Sequence, residues 1–184
     1  MAATIDPDVI DLGSHLEFGP VEMGDGRRLT SHVYSGLPRH VTVDVIEHPN
    51  GMRTMTILNP SPSDGAHLDW KVSAPRGTDV VSLHGGPKTT FLYGSDRNQK
   101  LSPQQLAAVT RLHGLGNRPI KLLACRTGAK HRGFAYQYAQ ALGQPVTAPT
   151  EDFFSDTQDV GHGWIFFRPA KVPWRTFEVD GQTL

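Results

Sequence analysis

The sequence holds a single cysteine, Cys125, which excludes an internal disulfide and leaves no requirement for an oxidising compartment. Charge of one sign is also missing. The 18 Lys and Arg residues balance 18 Asp and Glu, so no global field argues for nucleic acid or for an anionic membrane surface. No apolar run approaches the roughly 20 residues of a membrane span. The start, Met1-Ala-Ala-Thr-Ile-Asp-Pro-Asp8, carries early acids and no apolar run, unlike a signal peptide. The nine histidines are scattered, and no Cys/His cluster has zinc spacing, so no metal site is expected. Internal repeats and low-complexity tracts are absent. Turn formers are plentiful instead: 19 Gly and 14 Pro fit short elements joined by many turns.

The length suits one ordinary domain with an appended part. Residues 1–13 read as a leader, 14–60 as a β-rich N-terminal subdomain and 66–184 as an α/β domain. In the β-rich part, Leu16–Phe18, Val21–Met23, Val41–Val45 and Met52–Ile57 alternate with period 2, the pattern of half-buried strands. Pro49-Asn50-Gly51 supplies the positive φ angles of a tight hairpin turn, so an antiparallel meander is expected. The loop 59–65 marks the boundary.

Beyond it the pattern changes. Asp79–Leu83 reads as an apolar strand and Thr90–Tyr93 as a short one. A helix then starts with Ser102 as N-cap, Pro103 in the first helical position and Gln105 completing a capping box. It stops near Gly114. Ile120–Ala124 is a strand, Gly133–Leu142 a helix ended by Gly143, and Pro145–Ala148, Trp164–Phe167 and Trp174–Val179 further strands. Strands alternating with helices predict a parallel or mixed sheet with helices packed on it.

The chemistry concentrates in two stretches. Ile120-Lys-Leu-Leu-Ala-Cys125 ends an apolar strand on the thiol and is followed by a basic, glycine-bearing loop and a helix start. Arg126, Lys130 and Arg132 would favour a thiolate by opposite charge, and a helix N-terminus would add to that. Asp79-Val-Val-Ser-Leu-His84-Gly85-Gly86 is a second apolar strand ending on histidine. Sites in open α/β sheets gather at the carboxyl ends of strands, so His84 could serve as base and acid toward an acyl group on Cys125. Gly85 and Gly86 would donate backbone N–H groups to an oxyanion. The His-Gly dipeptides at His113 and His162 are weaker candidates for the base. Asp64, Asp69 and Asp79 are weak candidates to orient it. Trp70, Trp164 and Trp174 read as core anchors, and Phe153 and Phe154 as pocket or core residues.

An apolar block closed by His-Gly, then about forty residues later an apolar block closed by Ala-Cys, resembles the signature of the clan CD cysteine peptidases, such as caspases, gingipains, legumains and the self-processing protease domains of bacterial toxins. The segment from Leu122 to Thr150 also looks like one found in bacterial secreted effectors and polymorphic toxins. The resemblance covers about residues 79–167. Ser82 and Lys121 interrupt the two apolar blocks. It implies a caspase-like α/β fold, a Cys125/His84 dyad and a peptide or protein substrate. The balanced charge and the lack of a long apolar run predict no nucleic-acid partner and no membrane insertion, and the oligomeric state stays open. The setting would be a bacterial cytoplasm before export, by a secretion route independent of a signal peptide. No cofactor is required. Proteases of the toxin type bind inositol hexakisphosphate through basic residues, and this chain has no comparable run, so an anionic activator stays open.

Two other readings compete. Pro119 to Lys130 looks like a rhodanese loop, in which backbone cradles a persulfide on cysteine, but an upstream Asp-x-Arg strand is missing. A binding or scaffold module on the same fold would leave Cys125 inert and use the basic loop of Arg126, Lys130, His131 and Arg132 for an anionic partner.

Overall fold

The computed structural model describes residues 10–35, 41–58, 74–91, 100–152 and 173–181. The expected loop 59–65 and strand Trp164–Phe167 lie outside them, as do Asp64, Asp69, Trp70, Phe153, Phe154 and His162. The chain forms β1 (His15–Glu22), β2 (Arg28–Tyr34), β3 (Val41–Glu47), β4 (Arg53–Leu58), β5 (Asp79–Ser82), β6 (His84–Gly85), β7 (Thr90–Phe91), β8 (Lys100–Leu101), α1 (Pro103–Leu112), β9 (Ile120–Leu123), α2 (Phe134–Leu142), β10 (Val146–Pro149) and β11 (Trp174–Phe177). The fold is α/β and mostly sheet.

One mixed sheet runs in the order β1-β2-β3-β4-β5-β9-β10-β11, and β6-β7-β8 make a small second sheet. Strands β1 to β4 pair antiparallel in chain order. Strand β4 then pairs parallel with β5, β5 with β9 and β9 with β10, while β11 closes the edge antiparallel. The antiparallel and parallel parts therefore share one sheet. A turn forms at Asn50-Gly51, with Gly51 alone of the two at positive φ, 84°, and its N–H on the His48 carbonyl at 2.9 Å.

Both helices carry their sequence signals. The capping box is complete at α1: Ser102 Oγ accepts from Gln105 N at 3.1 Å, and the Gln105 side chain accepts from Ser102 N at 2.9 Å. Gly143 ends α2 in the left-handed conformation. Their apolar faces pack on the sheet with Val43, Val81, Ile120 and Leu122, around the fully buried Phe134 and Tyr138. The Tyr138 hydroxyl meets Thr110 Oγ1 at 2.8 Å, so its polar atom is satisfied inside the core. Deep burial raises its pKa.

Two expectations change at the N-terminal end. Ile10 and Leu12, read as part of a leader, are buried in the core. Leu16, Phe18 and Val21, read as half-buried, are 57–62 % exposed. The sheet is wider than the two helices, and its outermost strand has no layer over these side chains among the described residues.

Candidate active site

The two apolar runs form adjacent strands. Asp79 pairs with Ile120, Val80 with Lys121, Val81 with Leu122 and Ser82 with Leu123, all parallel. Leu83 N extends the ladder to the Leu123 carbonyl at 3.2 Å. Two residues beyond the Ser82–Leu123 pair on each strand stand His84 and Cys125, which therefore leave neighbouring strands at the same level and at the carboxyl end. A Cβ on Gly85 would lie 2.9 Å from the Cys125 carbonyl oxygen and 2.8 Å from Ala124 Cβ and Thr127 Cγ2. Only glycine lets the segment after His84 approach the cysteine so closely.

Alternation along β9 sends Ile120, Leu122 and Ala124 into the helix-facing core and leaves Leu123 and Cys125 on the other face. There Cys125 is half-buried and packs against the buried pair Val80 and Leu123, as Met52, Ala74 and Trp174 also do. Lys121 shares that face, its ammonium 4.5 Å from the centre of the Trp174 ring, and burial lowers its pKa. His84 is exposed.

The turn after Cys125 is tightly determined. Arg126 adopts φ 57°, the left-handed region that a non-glycine residue occupies at a cost of about 1 kcal/mol or more. Its N–H is held by the Glu151 carbonyl at 3.2 Å, and the Gly128 N–H by Pro149 at 2.9 Å. The buried Thr127 donates its hydroxyl to the Ala124 carbonyl at 2.7 Å. Gly128 packs against the Ala148 carbonyl so closely that a Cβ would come within 2.6 Å.

Helix α2 begins nine positions beyond the cysteine, and its first amides are already engaged. Phe134 N–H donates to Pro87 and Ala135 N–H to Thr127. The helix start thus anchors the loop after His84 rather than offering these donors to the thiol. The Gly86 N–H donates to Thr89 at 2.9 Å. Gly85 faces Thr90 at the next pair of the β6–β7 ladder, a non-hydrogen-bonded position, so its amide turns away from that ladder. Of the two expected oxyanion donors, Gly85 is the one this pairing leaves available.

Arg126, Lys130 and Arg132 are all exposed on the basic loop, and the Arg132 guanidinium lies 5.7 Å from the Tyr136 ring centre. Asp79 stands at the opposite end of β5 from His84. It is buried, accepts the Arg53 N–H at 3.0 Å and pairs with Arg118 at 2.9 Å, so it is a structural carboxylate and not the orienter of His84. His113 caps α1 far from the thiol, its Nε2 2.9 Å from the Tyr34 hydroxyl.

A family model described as a domain of unknown function, DUF8616, matches residues 54–163, more than half of the sequence. The chain belongs to the DUF8616 family. The DUF8616 segment spans β4 to β10 and contains His84, Cys125 and the whole basic loop. No curated protein and no solved structure matches the chain.

Outside the DUF8616 segment the structure gathers side chains that sequence spacing does not bring together. His15 pairs with Tyr34 and Glu17 with His32 across β1 and β2, so all four share one sheet face. His15 Nε2 lies 2.9 Å from His32 Nδ1, and His32 Nδ1 lies 3.9 Å from Glu17 Oε2. Burial holds His113, beside His32, down to about 3, with the neighbouring histidines adding to the effect. Burial likewise pushes Tyr34 up to about 12. The His-x-Glu spacing at positions 15 and 17 was the one available signal, and it becomes informative only once β2 is known to be the partner strand.

Proposed function

We propose that this protein is a cysteine-dependent hydrolase, a peptidase in the first instance, with Cys125 as nucleophile and His84 as general base. One observation carries the reading: β5 and β9 pair parallel and in register, and the two side chains follow at the same level beyond their carboxyl ends. Half-burial of Cys125 supports it, because the residue is neither sealed in the core nor fully exposed. The left-handed Arg126 supports it too, since strained backbone held by its surroundings gathers at functional sites.

The chemistry follows the acyl-transfer pattern. His84 takes the thiol proton as Cys125 Sγ bonds to the substrate carbonyl carbon. The Gly85 amide faces the developing oxyanion. Collapse breaks the scissile C–N bond, and the imidazolium returns its proton to the leaving amine. Water, deprotonated by the same imidazole, then hydrolyses the thioester. Arg126, Lys130 and Arg132 would receive acidic groups of a peptide substrate or an anionic activator. The caspase-like reading of the fold and a role as a bacterial secreted effector or toxin component belong to the same proposal, resting on the His-Gly and Ala-Cys blocks.

The sulfurtransferase reading has less support. A persulfide cradle requires backbone amides aimed at the sulfur, whereas those of Arg126, Thr127, Gly128 and Ala129 all donate to protein carbonyls. The test is cleavage of a peptide library, or of the protein itself, by wild type, Cys125→Ala and His84→Ala. Loss of cleavage in both variants is the expected result. Cleavage that survives either substitution removes the dyad.

A further inference from the structure

We propose that His15, Glu17 and His32 form a binding site for a divalent first-row transition ion, with Zn²⁺ the best match. One ligand atom from each residue lies within 4.8 Å of the other two. Zinc takes imidazole nitrogen and carboxylate oxygen at about 2.0–2.2 Å, which sets tetrahedral donors about 3.3 Å apart. The two imidazole nitrogens stand at 2.9 Å and must open slightly. The widest separation, within 4.8 Å, must close by at most about 1.5 Å, and the exposed Glu17 side chain is free of core packing that would oppose this. Two imidazoles and one carboxylate are a borderline donor set that suits zinc, cobalt, nickel or iron rather than calcium or magnesium.

The surroundings favour an ion over a chance polar contact. His15 Nε2 and His32 Nδ1 face one another, so one must carry a proton for them to bond, whereas an ion uses both lone pairs. The rings are held: His15 stacks on the buried Tyr34, centroids 4.8 Å apart, and His113 flanks His32 at 4.5 Å. Tyr34 and His113 are themselves joined at 2.9 Å, so the support behind the two ligands is a closed hydrogen-bonded pair. Glu17 and His32 also line a cavity of about 340 Å³, with His113, Arg28, Arg53 and Glu47 on its other walls. Three protein ligands beside an open cavity leave a fourth position for water or a small anion.

The site lies outside residues 54–163 and shares no residue with the Cys125/His84 pair, so the two proposals stand or fall separately. The test is calorimetric titration of the full chain with Zn²⁺, and of His15→Ala, His32→Ala, Glu17→Gln and Cys125→Ser, each checked by circular dichroism. Wild type and Cys125→Ser should bind one ion. His15→Ala and His32→Ala should weaken binding by about tenfold to a hundredfold or more, since even outer partners of metal ligands cost that much. Glu17→Gln, an exposed position that leaves the fold untouched, should weaken it in the same sense. Visible absorption of the Co²⁺-loaded protein gives a second readout and should lack a thiolate charge-transfer band. No binding, binding indifferent to all three ligand substitutions, or binding lost in Cys125→Ser with a thiolate band present, would each overturn the site.

Discussion

Replacing Gly85 by alanine probes the closest approach in the candidate site. The added methyl would meet Ala124 Cβ and Thr127 Cγ2 at 2.8 Å and the Cys125 carbonyl oxygen at 2.9 Å. Comfortable carbon contacts are about 3.5–4.0 Å. Ala124 and Thr127 are fully buried, and the third contact is backbone at the end of β9, so none is a flexible side-chain tip that swings aside. The strain has to be relieved by moving the His84–Gly86 segment away from the cysteine. Overpacking of this kind costs about 1–3 kcal/mol, which lowers Tm by about 2–4 °C per kcal/mol in a protein of this size. Scanning calorimetry reads the stability, and the iodoacetamide alkylation rate of Cys125 reads the site. Both should fall in Gly85→Ala. Stability within about 0.5 kcal/mol of wild type together with unchanged alkylation would show that the two strand ends are not in contact, and the register argument would fail.

Asp79→Ala should destabilise the fold by about 1–3 kcal/mol, because it strands the Arg53 N–H and Arg118. It should leave Cys125 alkylation unchanged, and a slowed alkylation would mean that Asp79 acts on the site. Ser102→Ala should cost about 1 kcal/mol in a denaturant titration by removing half of the capping box, and an unchanged midpoint would show that α1 does not depend on it. Burial, followed by the Arg27 charge, holds the His48 pKa below its usual value. A histidine that stays neutral when folded loses stability as pH falls through the unfolded value of about 6.5. His48→Gln should therefore flatten the stability profile on the acid side of that pH, and an identical acid slope in wild type and variant would contradict it.

The parallel centre was the most legible part of the sequence. Val80-Val81 and Leu122-Leu123 are apolar on both faces, and both runs end on polar residues followed by glycine, so strand, end point and pairing could be inferred together. The capping box at Ser102 and Gln105 fixed α1 by local hydrogen bonding alone. The N-terminal strands were less legible. In β2, the positions that face the helix side are Thr30, His32 and Tyr34, so polar residues occupy the face that elsewhere carries valine. Leu16 and Phe18 alternate as core residues do, yet face away from the helices. Alternation reports two faces of a strand but not which one is covered. The proposed dyad partners, His84 and Cys125, were visible because each ends an apolar run. The His15, Glu17 and His32 convergence was not, because it depends on the cross-strand register of β1 and β2.

The rate of Cys125 alkylation by iodoacetamide, followed by mass spectrometry across neutral pH in wild type and in His84→Ala, tests the central claim most directly. If imidazole and thiol act as one unit, wild type reacts faster than a free thiol at near-neutral pH and His84→Ala falls back toward the free-thiol rate. A wild-type rate no faster than a free thiol, unaltered by removing His84, would contradict it.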